Sequence, residues 1–174
     1  MIESAYEEPV QRVGEHLKSH ALTLRGKAPD DDLFARSAFN RFYYAAFLVC
    51  REMVKNTIGK SGLRHEAFPE YLTGSFRRAI SLRIKQAYSK GAITDAEREK
   101  MTYLLNVNTA GLSNMLREGF GVRVIADYKP EVQVVLMESS FELSSCTSGR
   151  ANYWVREAEM YCKNLKKLWH KLGN

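Results

Sequence analysis

Cysteine is scarce in this chain: Cys50, Cys146 and Cys162 are the only three, and they are widely spaced. That spacing excludes a zinc finger and a disulfide framework, and makes a reducing cytosol the natural compartment. Histidine is nearly as rare, with four residues. His16 and His20 stand one helical turn apart, but no third ligand accompanies them and Glu15 does not complete an HExxH order. They read as surface histidines, and neither a metal nor a cofactor is expected. No apolar run reaches membrane-spanning length, the longest being residues 45–50. The N-terminus is acidic where a secretion signal is basic. A glycine-rich phosphate cradle is absent too, since Gly119 and Gly121 flank Phe120 in the manner of a turn. No internal repeat or low-complexity segment is visible.

What remains is ordinary globular composition, 45% apolar and 26% charged over 174 residues, which predicts one domain spanning 1–174. The net charge of +6 suits RNA, a nucleotide or an acidic protein partner without demanding any of them.

Apolar periodicity predicts helices. Tyr6, Val10, Val13, Leu17, Ala21 and Leu24 form a stripe over residues 4–25. Pro29 and the acids Asp30, Asp31 and Asp32 open a second helix over 31–57, which Gly59 and Gly62 close. After a loop over 59–69, a third helix is predicted over 75–89. The Thr94-Asp95-Ala96-Glu97 capping box opens a fourth, ending at Gly119. Between 120 and 145 the period changes, and Val122, Val124, Val132, Val134, Val135, Phe141 and Leu143 favour a small β-hairpin turning at residues 128–131. Ser144, Thr147 and Ser148 are candidate caps for a last helix over 149–172. The fold class is therefore all-α: a bundle of four to five helices with a hairpin inserted before the last.

Polar residues within the second helix carry the functional signal. Arg36, Asn40, Tyr43 and Phe47 share one face, where guanidinium, amide and phenol groups must find partners inside the molecule, across an interface or on a ligand. Arg123, Asp127 and Tyr128 form a second cluster. Asp127 is able to accept two hydrogen bonds from Arg41 or Arg123, either as a buried network holding the helix in place or as part of a pocket. A third signal is cationic: Lys60, Arg64, Arg77, Arg78, Arg83, Lys85 and Lys90 face only Glu66 and Glu70 between residues 57 and 93. Arg77 and Arg78 suit a phosphate backbone, or simply a solvated helix face. The lysines of the last helix, Lys163, Lys166, Lys167 and Lys171, suit its dipole.

Two motifs resemble the HEPN superfamily, the small helical domains of prokaryotic toxin–antitoxin and defence systems. Residues 36–47, Arg-Ser-Ala-Phe-Asn-Arg-Phe-Tyr-Tyr-Ala-Ala-Phe, are similar to that family's Ser/Ala-Arg-Tyr-Tyr-Ala helix. Residues 123–128, Arg-Val-Ile-Ala-Asp-Tyr, are similar to its Arg-x-x-Ala-Asp-Tyr segment. The resemblance spans about residues 33–168. It implies a homodimer, pairing with a nucleotidyltransferase-like partner, and in many members metal-independent RNA cleavage by an arginine and a histidine four to six residues later.

This chain departs from that last pattern. Arg64 adjoins His65, the arginine nearest before His170 is Arg156, and Ala126 fills a slot where nuclease-type members place histidine. The resemblance thus implies a nucleotide- or RNA-binding module without the standard nuclease. Arg41, Arg123 and Asp127 would be its polar core, and Tyr43, Tyr44 and Tyr128 its stacking or interface rings. Two other readings stand beside it. One is an atypical ribonuclease with Arg123, Asn40, His65 and Tyr128 assembled across a dimer. The other is a structural homodimer built on the tyrosine-rich helix.

Overall fold

A computed structural model describes residues 7–173 as a mostly helical domain of five helices with a small three-stranded antiparallel sheet before the last. The first three residues of the helix predicted from residue 4 lie outside the described residues. Helix α1, Glu7–Thr23, packs along α2, Asp30–Ile58. Gly14 permits the close crossing, because a Cβ there would stand 2.8 Å from the Phe42 ring. That crossing turns Val13, expected in the buried stripe, out to solvent.

Helix α2 is the spine of the bundle. Buried Asp31 accepts hydrogen bonds from the backbone N–H groups of Gly26 and Asp32 at its start. Gly59, at φ +72°, closes it in the left-handed conformation that suits glycine, its N–H donating to the Lys55 carbonyl. Phe39, Phe42, Phe47, Cys50 and Met53 fill the core with Trp154, Phe68, Phe76 and Phe141.

Three boundaries differ from the sequence reading. Helix α3 begins at Phe68 rather than Ser75. It runs Phe68–Tyr71, loosens through a π-helical turn at Leu72–Phe76, and continues Arg77–Ser89. Pro69 is in its first turn, where the missing N–H costs nothing. Helix α4, Asp95–Tyr128, starts at the predicted capping box, with Thr94 accepting from Glu97 N–H, but runs past Gly119 by more than two turns. Gly119 is no turn: a Cβ there would come within 2.9 Å of the Tyr43 ring, so glycine is what lets α2 and α4 approach. Val122 and Val124 are consequently helical.

The strands are confined to β1 Val135–Leu136, β2 Phe141–Leu143 and β3 Cys146–Thr147, so the hairpin occupies 135–147 instead of 120–145. Leu136 pairs with Phe141, and Leu143 with Cys146. Ser144 and Ser145 both adopt positive φ, as a tight two-residue hairpin turn requires. Of the three candidate caps, Thr147 caps α5, Ser148–Lys171, accepting from Arg150 N–H at 3.1 Å. No helix among the described residues is long and apolar enough to cross a membrane.

Candidate functional site

The face carrying Arg36, Asn40, Tyr43 and Phe47 meets the second half of α4 and the 59–67 loop. Its four residues separate into two jobs. Arg36 is buried and structural. Its guanidinium donates to the carbonyls of Ile125, Ala126 and Lys129 at 3.2–3.4 Å and to that of Val132, while Nε pairs with Asp32. The Ala126 carbonyl is one that the end of α4 leaves without a backbone donor, while those of Ile125 and Lys129 also accept from the N–H groups of Lys129 and Val132. A side chain of α2 therefore caps α4 and anchors the segment that follows. Arg36 thus finds its partners inside the molecule and does not line the cleft that the same face forms further on.

One turn on, the same face opens into a cleft of about 510 Å³. Helix α2 supplies Asn40, Arg41, Tyr43 and Tyr44; the loop supplies Arg64, His65 and Glu66; α4 supplies Phe120, Arg123 and Asp127. The loop is held there by its histidine. The His65 ring lies over Phe47 at 3.8 Å between centroids and 20° between planes, with Tyr44 nearly parallel at 5.9 Å. His65 Nδ1 is 3.1 Å from the Tyr43 hydroxyl.

The surroundings set the charge state of both partners in that hydrogen bond. Burial pushes the Tyr43 phenol well up, more than the Arg123 charge lowers it, so the hydroxyl keeps its proton. Burial, with Arg123 and Arg51 nearby, lowers His65 below the usual imidazole value, so the ring is neutral near pH 7. Tyr43 has no other hydrogen-bond partner among the described residues; where its O–H donates to Nδ1, the buried phenol proton is satisfied and the imidazole carries its own proton on Nε2. In this tautomer His65 presents an N–H donor and lacks a basic lone pair at Nε2.

The charges are placed as deliberately. Arg123 pairs with Asp127 at 2.8 Å across one turn of α4, and Asn40 Nδ2 donates to the other oxygen of that carboxylate. Both side chains of the pair stay partly exposed, 33% and 26%. Asp127 accepts from Arg123 and Asn40, and Arg41 is not its partner. Among the described residues Arg41 has no ion pair, and Arg64 meets only Glu66, at 3.9 Å. Asn40 Oδ1 is enclosed without a hydrogen-bond partner. Three guanidinium groups thus border a cleft with an aromatic floor, and one of the two carboxylates is already committed to Arg123.

The remaining candidates fall elsewhere. Tyr43, 2% exposed, is a buried prop and cannot stack on a ligand, whereas Tyr44 is 36% exposed and can. Tyr128 projects into solvent outside the cleft, with the Arg123 guanidinium 5.6 Å from its ring centre. Arg77, within reach of Asn106 at 3.5 Å, and Arg78 are exposed on α3 and do not border the cleft. Glu66 and Phe120 also line the cleft without being candidate site residues in the sequence, and Arg64 enters there only through the basic 57–93 segment. Phe120 was hidden by the strand reading; with α4 continuous, residues 120, 123 and 127 share one helix face. Among the described residues no group of three or more histidine, cysteine, aspartate or glutamate side chains is arranged to hold a metal ion.

Fold and site together define a helical domain with a cationic, aromatic-floored cleft. Comparison of the chain with protein-family models, with curated proteins and with solved structures gives no match in any of the three.

Proposed function

We propose that this chain is a HEPN-like module that binds RNA or a nucleotide through the Asn40–His65–Arg123 cleft, without the standard HEPN nuclease activity. One observation carries the reading: Arg41, Arg64 and Arg123 gather at the rim of a single cleft that Tyr44, His65 and Phe120 line with rings. Guanidinium groups grip phosphate oxygens, and an exposed ring offers a base its π-face. Asp127 holds Arg123 in a fixed orientation, which lowers the entropy lost on binding. His65 adds an Nε2–H donor for a phosphate or base oxygen.

The same tautomer argues against general-base catalysis, because a neutral imidazole already protonated at Nε2 cannot take the 2′-OH proton there. The motif resemblance adds a cytosolic homodimer, pairing with a nucleotidyltransferase-like partner, and a toxin–antitoxin or defence setting to the proposal. An atypical metal-independent ribonuclease is the second reading, favoured by His65 and Arg123 lining the same cleft.

Titration of fluorescent single-stranded RNA and of nucleotides, with EDTA present and the RNA's integrity followed on gels, tests both. Saturable binding of intact RNA or nucleotide, weakened at least tenfold by Arg123→Ala and by Tyr44→Ala, is the expected result. Stacking is worth about 1–3 kcal/mol per base, which is of that order or larger. Cleavage by wild type and not by Arg123→Ala would replace the binding module with the enzyme. Absence of any binding by a folded protein would sink both.

A further inference from the structure

A second concavity lies far from the cleft, between the start of α4 and the end of α5. Met101 on its floor stands about six helical turns, roughly 33 Å, from Arg123 along α4. The floor is aliphatic: Met101, Leu104 and Leu168. The rim carries Lys100, Lys167 and Lys171 against the single carboxylate of Glu97. Glu97 is already engaged, pairing with Lys171 at 2.8 Å and accepting from Thr94 N–H. Lys100 and Lys167 have no carboxylate partner among the described residues and are exposed. The helix dipole accounts for Lys171, in the last turn of α5, but not for Lys100, which is near the positive end of α4.

We propose that this groove docks an acidic amphipathic helix of a protein partner. Charge complementarity selects the acid: two uncommitted lysines flank an apolar strip, so an incoming helix gains most with carboxylates on either side of its apolar stripe. Geometry selects the helix. The groove runs between two helices whose backbones are internally bonded, so it offers no strand edge, and an extended segment would leave its own N–H and C=O groups unpaired. The floor also disfavours nucleic acid, since it holds three aliphatic side chains and no ring on which a base can stack. Leu104 and Val107, 36% and 45% exposed and one turn apart, extend the apolar strip along α4. The groove's volume, about 310 Å³, suits the anchoring side chains of one helix rather than a broad domain interface. This surface is independent of the binding function proposed for the cleft.

The test uses the full chain and a fluorescent peptide of roughly fifteen residues, with leucine at helical i, i+3, i+4 and i+7 spacing and glutamate at most other positions. A scrambled peptide of equal composition and a lysine-for-glutamate counterpart serve as controls. Expected are saturable binding of the acidic amphipathic peptide and at least tenfold weaker binding of both controls. A Lys100→Glu/Lys167→Glu variant, substituted only at exposed positions and verified as folded by circular dichroism, is expected to lose at least tenfold, while Arg123→Ala changes nothing. No saturable binding, equal binding of the scrambled peptide, or indifference to the double variant would overturn the proposal. So would a homodimer that the double variant dissociates, which would assign the groove to a second copy. RNA affinity falling in that variant while peptide affinity holds would overturn it in favour of nucleic acid.

Discussion

Arg36 and Arg123 lie in the two resembling motifs, yet one guanidinium is buried against backbone carbonyls and the other borders solvent. Replacing Arg36 with alanine takes the side-chain donor from the Ala126 and Val132 carbonyls and the guanidinium from the Asp32 carboxylate together. Urea denaturation is expected to show a loss of about 2–4 kcal/mol, several times the net value of a single neutral hydrogen bond. Arg36→Lys should recover little, because one ammonium cannot reach the carbonyls of Ile125, Lys129 and Val132 at once. His65 makes a different prediction. Its folded value lies below the ordinary imidazole value of about 6.5, because burial and the charges of Arg123 and Arg51 disfavour the imidazolium. The stability it contributes is therefore present above about pH 6.5 and lost as pH falls through the lower folded value. Between pH 7 and 5 the wild type should lose more stability than His65→Gln, measured as the pH dependence of the urea midpoint; equal slopes would refute the neutral, Tyr43-bonded ring. The residue types of this site were legible in the sequence. Their division of labour was not, because Arg36 and Asn40 lie one turn apart on the same face, and only the position of the α4 end decides which of them meets it.

At the scale of the element, local signals survived and long-range ones did not. The Thr94–Glu97 box opens α4 as read, since both partners lie within four residues and need nothing else from the fold. Gly59 likewise ends α2 within one residue of the expected position. The end of α4 was misplaced because Gly119, Gly121 and two valines resemble a turn and a strand, while the contact that favours helix comes from Tyr43 on α2. Glycine to alanine within a helix ordinarily gains up to about 1 kcal/mol. At Gly119 the new methyl would meet a ring that is 2% exposed and cannot retreat, at a cost of about 1–3 kcal/mol. Gly119→Ala is accordingly expected to lower the thermal midpoint rather than raise it, and to disturb the Tyr43–His65 hydrogen bond. A higher midpoint would show that the α2–α4 crossing is looser than described. Gly121, with nothing within 4 Å of its missing Cβ, is the internal control, and alanine there should be neutral or stabilising.

Over the whole molecule, residues 40–44, 64–66 and 120–127 become one site because α2 is packed on more than one side, with α1 along it and α4 and α5 against it. Both resembling motifs reach the cleft, but the loop that completes it carries no periodicity by which the sequence could place it. The net charge of +6 and three rim arginines predict a strong salt dependence. For single-stranded RNA, affinity should fall with log salt at a slope of about −0.7 per phosphate neutralised, and Arg123→Ala should remove about one such increment. A slope unchanged in that variant would place the phosphate away from Arg123. The central position of α2 also bears on synthesis. Helices α1 and α2 are neighbours in sequence and can pair as soon as both have left the ribosome, whereas the partners of Asn40 and Tyr43 on α4 emerge only some 80 residues later, a delay of roughly 4–16 s at 5–20 residues per second. Phe47 gains Phe68 of α3 sooner, but until α4 arrives Asn40 and Tyr43 lack their cover, so the nascent chain carries a chaperone-accessible surface at the place where the completed protein carries its cleft.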